Sequence, residues 1–232
     1  MIPLRDLNPR RSAPVVTVLL IALNCLLFFY ELRLGDQLES FVTSVAFVPA
    51  RYFGAGADPA LLGEAFTSAL LSMFLHGGWM HLLGNMLFLW IFGDNVEDRL
   101  GHLRFLLFYL LAGFSATLAQ SLAGPGSTVP QIGASGAISG VLGAYLVLYP
   151  RARIVTVIFL GFFIRLAEVP ALVFLPLWFL IQFVSGLESL AASTTTAQGG
   201  VAFFAHVGGF LAGVVLLFLF GGMSRRRPQL AG

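Results

Sequence analysis

Long apolar segments separated by short polar stretches dominate the chain. Six of them are continuous enough to be predicted as membrane-spanning helices. They run over residues 14–30, 79–92, 103–122, 135–149, 169–187 and 201–220. A further apolar stretch, residues 154–164, would rise only about 16 Å as a helix, so we expect it to lie at the membrane interface. Unbroken apolar runs without strict alternation predict an all-α, polytopic six-helix bundle.

Composition supports a membrane protein. The chain is 58% hydrophobic and only 10% charged, with a mean hydropathy of +0.89, whereas a soluble domain of this size needs far more surface charge. We expect one membrane domain over residues 14–222, between an N-terminal segment (1–13) and a C-terminal tail (223–232). The lipid bilayer is the expected surrounding, and no basic run suited to nucleic acid is present.

The arginines predict the orientation. All thirteen basic residues are arginine, and six crossings with the N-terminus inside leave only Arg33 and Arg51 on the outer side. The positive-inside rule therefore predicts that both termini are cytoplasmic. The compact chain suggests a prokaryotic cell (inner) membrane. Residues 32–67 are expected to form a long outer connection without helical periodicity.

Two polar residues stand inside apolar segments, where polar groups are costly and usually functional. Ser135 begins the fourth segment, whose 15 residues span only about 22 Å as a helix, so its start should lie below the outer membrane surface. A serine at a helix N-terminus is surrounded by free backbone N–H groups that can stabilise an oxyanion. His206, in the sixth segment, supplies the base that an oxygen nucleophile requires.

Small residues predict which helices touch. Gly136 and Gly140 on the fourth segment, and Gly209 and Gly213 on the sixth, have the small-xxx-small spacing that lets helices approach closely in lipid. His206 lies three residues before Gly209 and so shares that face. We therefore expect the imidazole to come within reach of the Ser135 hydroxyl.

A third group of polar residues lies on the second segment. His81 and Asn85 are four residues apart, on one helix face, and can add donors to an oxyanion site, with His76 nearby. No acidic residue is expected inside any apolar segment, so serine catalysis here would use a dyad rather than a triad. Ser139, one turn deeper than Ser135, is the competing nucleophile.

These motifs resemble those of the rhomboid intramembrane serine proteases. The run HGGWMHLLGN at residues 76–85 resembles their second-span motif, GASG at 133–136 their nucleophile motif, and AHVGG at 205–209 with Gly213 their last-helix motif. The resemblance covers about residues 51–220. It implies the six-helix rhomboid fold, a Ser135–His206 dyad, and cleavage of transmembrane protein substrates without a cofactor. It also implies an oxyanion site from His81, Asn85 and the Ser135 N–H, supported by His76.

The chain departs from the resemblance at two places. Many members carry a tyrosine four residues after the nucleophile, which packs on the catalytic imidazole, but this chain has Ser139. The Trp-Arg pair common in the outer loop is replaced by Phe66-Thr67-Ser68. Both the orientation of the His206 ring and the anchoring of the loop must therefore come from other residues.

Three other functions compete with proteolysis. His76, His81 and His206 are three imidazoles of the kind that ligates zinc, but no HExxH pattern occurs and we predict no metal. A transporter usually carries intramembrane acids or paired broken repeats, which are lacking here. A non-enzymatic relative that binds membrane proteins would be expected to lack the serine or the histidine. The sequence leaves the oligomeric state open.

Overall fold

The computed structural model describes residues 1–53, 59–160, 163–191 and 202–222, and these are mostly helical. The helices are α1 (Val15–Arg33), α2 (Leu38–Val45), α3 (Pro49–Phe53), α4 (Pro59–Ser72), α5 (Trp79–Leu100), α6 (His102–Ala123), α7 (Ser135–Leu148), α8 (Ala171–Ala191) and α9 (Phe203–Leu219). Helices α1 and α5 to α9 each begin within two residues of a predicted segment. The predicted C-terminal tail, 223–232, lies outside the described residues.

Two of the described helices, α1 and α6, are long and apolar enough to cross a bilayer by length and composition. The other apolar helices are shorter: Leu61–Ser72 within α4, α7, Ala171–Val184 within α8, and α9. Helix α5 has 22 residues, but its last turns are polar and charged. Six crossings therefore remain a prediction.

The expectation of a purely helical chain is wrong in one respect. A three-stranded antiparallel sheet forms from β1 (Ile2–Asp6), β2 (Arg153–Leu160) and β3 (Phe163–Pro170), in the order β1-β2-β3. The described residues of the stretch assigned to the membrane interface thus lie mainly in β2, which pairs with β3. Its Ile-Val-Thr-Val-Ile run at 154–158 is β-branched throughout, which favours a strand over a helix.

The described residues of the outer connection are mainly helical rather than irregular, which corrects the second structural expectation. After α1 the chain makes a 3₁₀ turn at Gly35–Gln37 and then forms α2, α3 and α4. These helices are joined to the loop before α7: the Gln131 N–H donates to the Phe47 carbonyl (2.8 Å), and the Phe47 N–H donates to Ser72 Oγ (2.7 Å). Helices α2 and α3, of eight and five residues, are too short to show a clear period.

Helix α7 is the centre of the bundle. Its residues 136–145 are all buried, and it contacts α5, α6, α8 and α9. The contact with α9 is between backbones: a Cβ added at Gly209 would collide with the Gly136 carbonyl, and one at Gly213 with the Gly140 carbonyl. These four glycines therefore set the distance between the helix that begins with Ser135 and the helix that carries His206.

The buried carboxylate of Glu97 joins the C-terminal end of α5 to the N-terminal ends of α1 and α6. Glu97 is fully buried and accepts hydrogen bonds from the backbone N–H groups of Val16 and Thr17 (2.8 Å each) and from the Thr17 hydroxyl (2.7 Å). Oε1 of Glu97, which accepts from the Val16 N–H, also lies 2.6 Å from Nδ1 of His102. A carboxylate at the N-terminus of α1 is favourable because free N–H groups and the helix dipole both favour negative charge there.

Strand β1 is tied to the helices by Asp6. Its carboxylate accepts hydrogen bonds from the Tyr145 hydroxyl (2.6 Å) and from the Asn95 amide (3.1 Å). Burial raises the pKa of Asp6 to about 6, and the Tyr145 hydrogen bond offsets only part of that rise. The N-terminal segment is therefore an ordered part of the fold rather than a free flank.

Candidate active site

Ser135 is the first residue of α7, and the backbone before it is shaped by Gly133. Gly133 has φ +119°, and a side chain there would also press against the His81 ring. Its N–H donates to the Ser72 carbonyl at 2.9 Å, which fixes the turn into the helix. Ser135 is partly accessible, whereas the next ten residues are buried. The serine hydroxyl thus lies at a helix N-terminus, where N–H groups lack intrahelical partners.

His206 lies in the first turn of α9 and is 7% exposed. Its Nδ1 is 2.7 Å from Oε1 of Gln182 on α8. Its ring lies against Trp178, with centroids 5.8 Å apart and planes at 38°. An amide oxygen only accepts, so Nδ1 carries the proton and Nε2 presents its lone pair.

Ser135 and His206 line the same cavity of about 920 Å³, together with His81, Asn85 and Gln182. The Gly136–Gly209 backbone contact lies one residue from Ser135 and three from His206. Among the hydrogen bonds of the described residues, none joins the Ser135 hydroxyl to the imidazole. The shared cavity and the helix contact bring the two residues together, and the dyad itself stays a prediction.

The second-segment residues His76, His81 and Asn85 form one cluster at the start of α5. The Asn85 amide donates to Nε2 of His76 (3.0 Å), and Nδ1 of His76 lies 3.3 Å from the Phe74 carbonyl. The His76 and His81 rings are 5.1 Å apart. Asn85 and His81 face the cavity, whereas His76, 3% exposed, lies behind Asn85 and holds its amide.

Ser139 also lines the cavity, but its hydroxyl is already engaged. It donates to the Ser135 carbonyl at 2.6 Å, within the same helix, and the residue is 1% exposed. Its proton therefore points along α7 rather than toward His206. This bond favours Ser135 over Ser139 as the nucleophile.

Among the described residues, no group of three or more His, Cys, Asp or Glu side chains is arranged to hold a metal ion.

Comparison with known proteins identifies the family. The family model described as the Rhomboid domain matches residues 63–223. The chain belongs to the rhomboid family. This is a family of integral membrane proteins, and its matched region contains every candidate site residue named above.

Similar rhomboid proteins come from bacteria and from organelles. The rhomboid protease GluP of Bacillus subtilis is 39% identical over 137 residues, covering 59% of this chain and 25% of that protein. The chloroplastic rhomboid-like protein 11 of Arabidopsis thaliana is 30% identical over 163 residues, covering 67% and 52%. The mitochondrial rhomboid protein 1 of Saccharomyces cerevisiae is 32% identical over 152 residues, covering 64% and 40%. The chain therefore matches between a quarter and about half the length of these relatives.

Two residues in this rhomboid site were missed at the level of sequence. Gln182 contacts His206, and Trp178 lies one helical turn away on the same face of α8. The sequence does contain an indication of Gln182, because an amide inside an apolar segment is a costly polar group, like the serine and the histidine.

Glu31 was missed for a different reason. It lies just after the first predicted segment and was given no role from the sequence, yet it is 2% exposed and both its oxygens lie 3.2 Å from the His76 backbone nitrogen. Glu31 continues a buried stripe on α1 formed by Thr17, Leu20, Asn24 and Phe28. That helical spacing would have indicated an inward-facing carboxylate.

The outer connection is anchored without the Trp-Arg pair common in the family. Phe66 stacks on Phe114 of α6, with centroids 4.6 Å apart and planes at 20°. The Tyr52 hydroxyl lies 2.9 Å from the Ser68 hydroxyl. Aromatic packing and this polar contact thus hold the segment beside the bundle.

Proposed function

We propose that this rhomboid protein is an intramembrane serine endopeptidase that hydrolyses peptide bonds in or near transmembrane segments of client proteins. The observation that carries the proposal is that Ser135 and His206 open into one cavity from two helices in backbone contact. Family membership and the 39% identity to a protein named as a rhomboid protease support it.

In the proposed reaction, Ser135 Oγ attacks the peptide carbonyl carbon while its proton passes to Nε2 of His206. The C–N bond then breaks, and the proton on Nε2 goes to the leaving amine. Water adds to the acyl-enzyme, giving a proton to Nε2, and the C–Oγ bond breaks as that proton returns to Ser135. The chemistry uses only a dyad and needs neither a cofactor nor a metal.

The oxyanion that forms at each step is stabilised by donors already aimed at the cavity. The Ser135 N–H lies at the start of α7, and Asn85 has a second amide hydrogen besides the one donated to His76. His81 adds a ring N–H from the same helix as Asn85. Fixed donors of this kind contribute strongly because they need no reorganisation as charge develops.

The membrane arrangement is part of the proposal. Six crossings, with both termini cytoplasmic, agree with the arginine distribution and place the cavity toward the outer side. Water then reaches Ser135 from that side, and transmembrane clients enter from the surrounding bilayer. The bacterial relative favours a bacterial cell membrane as the location.

The test is cleavage of a single-pass membrane reporter by the purified full chain in proteoliposomes. Ser135→Ala and His206→Ala should each reduce turnover on the order of 10⁴-fold or more, with unchanged thermal unfolding. Ser115→Ala, a substitution of a serine whose hydroxyl bonds only within α6, is the matched control and should cleave normally.

A fluorophosphonate probe should label Ser135. Clients that co-purify with wild-type protein without turnover would show a binding protein instead, and full activity in Ser135→Ala would exclude this nucleophile.

A further inference from the structure

His206 is contacted by two side chains of α8, a helix that carries none of the residues predicted for the site. Gln182 bonds Nδ1, and Trp178 packs on the ring. Both also line the cavity that contains Ser135. Because they are four residues apart, they present one face of α8 to the imidazole.

We propose that Gln182 and Trp178 are the positioning residues of the His206 imidazole, Gln182 by fixing its tautomer and Trp178 by holding the ring plane. The inference rests on the proposed function, since it concerns how the base is held ready for Ser135.

The tautomer argument follows from the chemistry of the amide. A neutral imidazole has one N–H and one lone pair, and the partner of one nitrogen decides which is which. Gln182 Oε1 accepts at Nδ1, so the lone pair lies on Nε2, the nitrogen left for the Ser135 proton. In a triad a carboxylate plays this part and also stabilises the imidazolium by its charge. Gln182 supplies the geometry without the full charge.

Trp178 takes the place of the aromatic contact that Ser139 cannot make. Ser139 has no ring, and its hydroxyl is bonded to the Ser135 carbonyl. Trp178 also contacts Phe88 on α5, with the two ring centroids 6.3 Å apart. The indole thus connects α5 with the imidazole, and an anchored ring restricts rotation of His206 about its side-chain torsions.

Gln182 offers two informative substitutions at nearly constant size. Gln182→Leu removes the acceptor, and Gln182→Glu keeps an acceptor and adds a charge. Among the described residues, the titratable group with an electrostatic interaction with His206 is His81, and it is the same in every variant. Differences between pH–rate profiles of these variants therefore report the residue at position 182.

The experiment measures kcat and KM for the reporter, with the full chain in proteoliposomes, from pH 5 to 9. Gln182→Leu should lower kcat by about 10- to 100-fold with little change in KM, because part of the general-base contribution is lost. Gln182→Glu should keep kcat within a few-fold of the wild-type value and move the acid limb of the pH–rate profile to higher pH, because the new charge stabilises the imidazolium.

Trp178→Leu should lower kcat, and Trp178→Phe should restore most of it. Leu180→Ala, on the exposed side of α8, is the control.

Each result decides the inference separately from the proposed function. Wild-type kcat in Gln182→Leu, or an unmoved acid limb in Gln182→Glu, would overturn the positioning role while Ser135→Ala remained inactive. If Gln182→Leu fails to fold, the Gln182→Glu profile and the Trp178→Phe rescue still decide. Turnover that survives in Ser135→Ala would instead overturn the proposed protease itself.

Discussion

Asn85 donates its side-chain amide to Nε2 of His76 across 3.0 Å. That bond uses one of the two amide hydrogens, so His76 fixes the orientation of Asn85 while the second hydrogen can be donated into the cavity. Asn85→Ala should therefore lower kcat by about 10²- to 10³-fold, the usual loss when one oxyanion donor is removed, with KM changed little. The measurement is steady-state cleavage of the reporter by the folded variant.

Leu83→Ala is the matched control for Asn85→Ala. It lies two residues earlier on α5 and is 54% exposed, pointing away from the cavity. It should retain wild-type kcat. A similar rate loss in both variants, or a rise in KM alone for Asn85→Ala, would contradict the oxyanion role.

The carboxylate of Glu31 supports the same group from α1. Glu31→Leu leaves the buried His76 N–H without its acceptor, so we expect a loss of about 1–3 kcal/mol in the free energy of unfolding. Glu31→Gln keeps an acceptor oxygen and should lose less than half as much. Chemical unfolding in detergent measures both, with the exposed Glu39→Leu on α2 as control. Equal stability of Glu31→Leu and wild type would show that this contact contributes nothing.

The α7–α9 contact makes a prediction about packing. Gly209→Ala places a methyl group against the Gly136 carbonyl, and overpacking of this kind costs about 1–3 kcal/mol or more. Separating the helices should also move His206 away from Ser135, so activity should fall further than stability alone explains. Thermal unfolding and reporter cleavage are measured on the same preparation.

Gly63→Ala is the control for that substitution. Gly63 lies within α4, and a Cβ there meets nothing within 4 Å. Alanine in a helix is favoured over glycine by about 0.5–1 kcal/mol, so this variant should be slightly stabilised. A stable, active Gly209→Ala protein would show that the two helices are not held as closely as the glycines indicate.

The sequence predicted most of the residues around the candidate site because polar residues at membrane depth are conspicuous. Ser135, His206, His81 and Asn85 stand out among apolar neighbours and lie together around one cavity. Gln182 satisfies the same criterion, but an amide is neither a nucleophile nor a base, so its residue type does not predict a catalytic role. Its role depends on the approach of α8 to α9, which no local pattern reveals.

The sheet was missed because the two sides of its first pairing are distant in sequence. Ile2 pairs with Val157, and Asp6 with Ile154, so β1 has no partner nearby in sequence, whereas β2 pairs with the adjacent β3. An apolar length argument treats residues 154–164 as a short membrane segment and does not weigh β-branching or a remote partner. Hydropathy predicts long helices well, but it gives little information on edge pairing.

The last prediction concerns pH and strand β1. The pKa of Asp6 is raised to about 6 by burial, from 3.8, so between these values the folded state keeps a proton that the unfolded state has lost. Stability from this group is complete below about pH 4 and declines as the pH rises to about 6. Asp6→Asn abolishes that titration and still accepts from Tyr145 through its amide oxygen. The variant should match wild type at pH 4 and exceed it at pH 7.5 by about 1 kcal/mol, allowing for solvent screening of a half-buried group. Thermal unfolding in detergent across this range measures the difference, and Asp36→Asn, at an exposed carboxyl, should leave the wild-type profile unchanged. A wild-type advantage at pH 7.5 would mean that the charged Asp6–Tyr145 hydrogen bond outweighs the cost of burying the carboxylate.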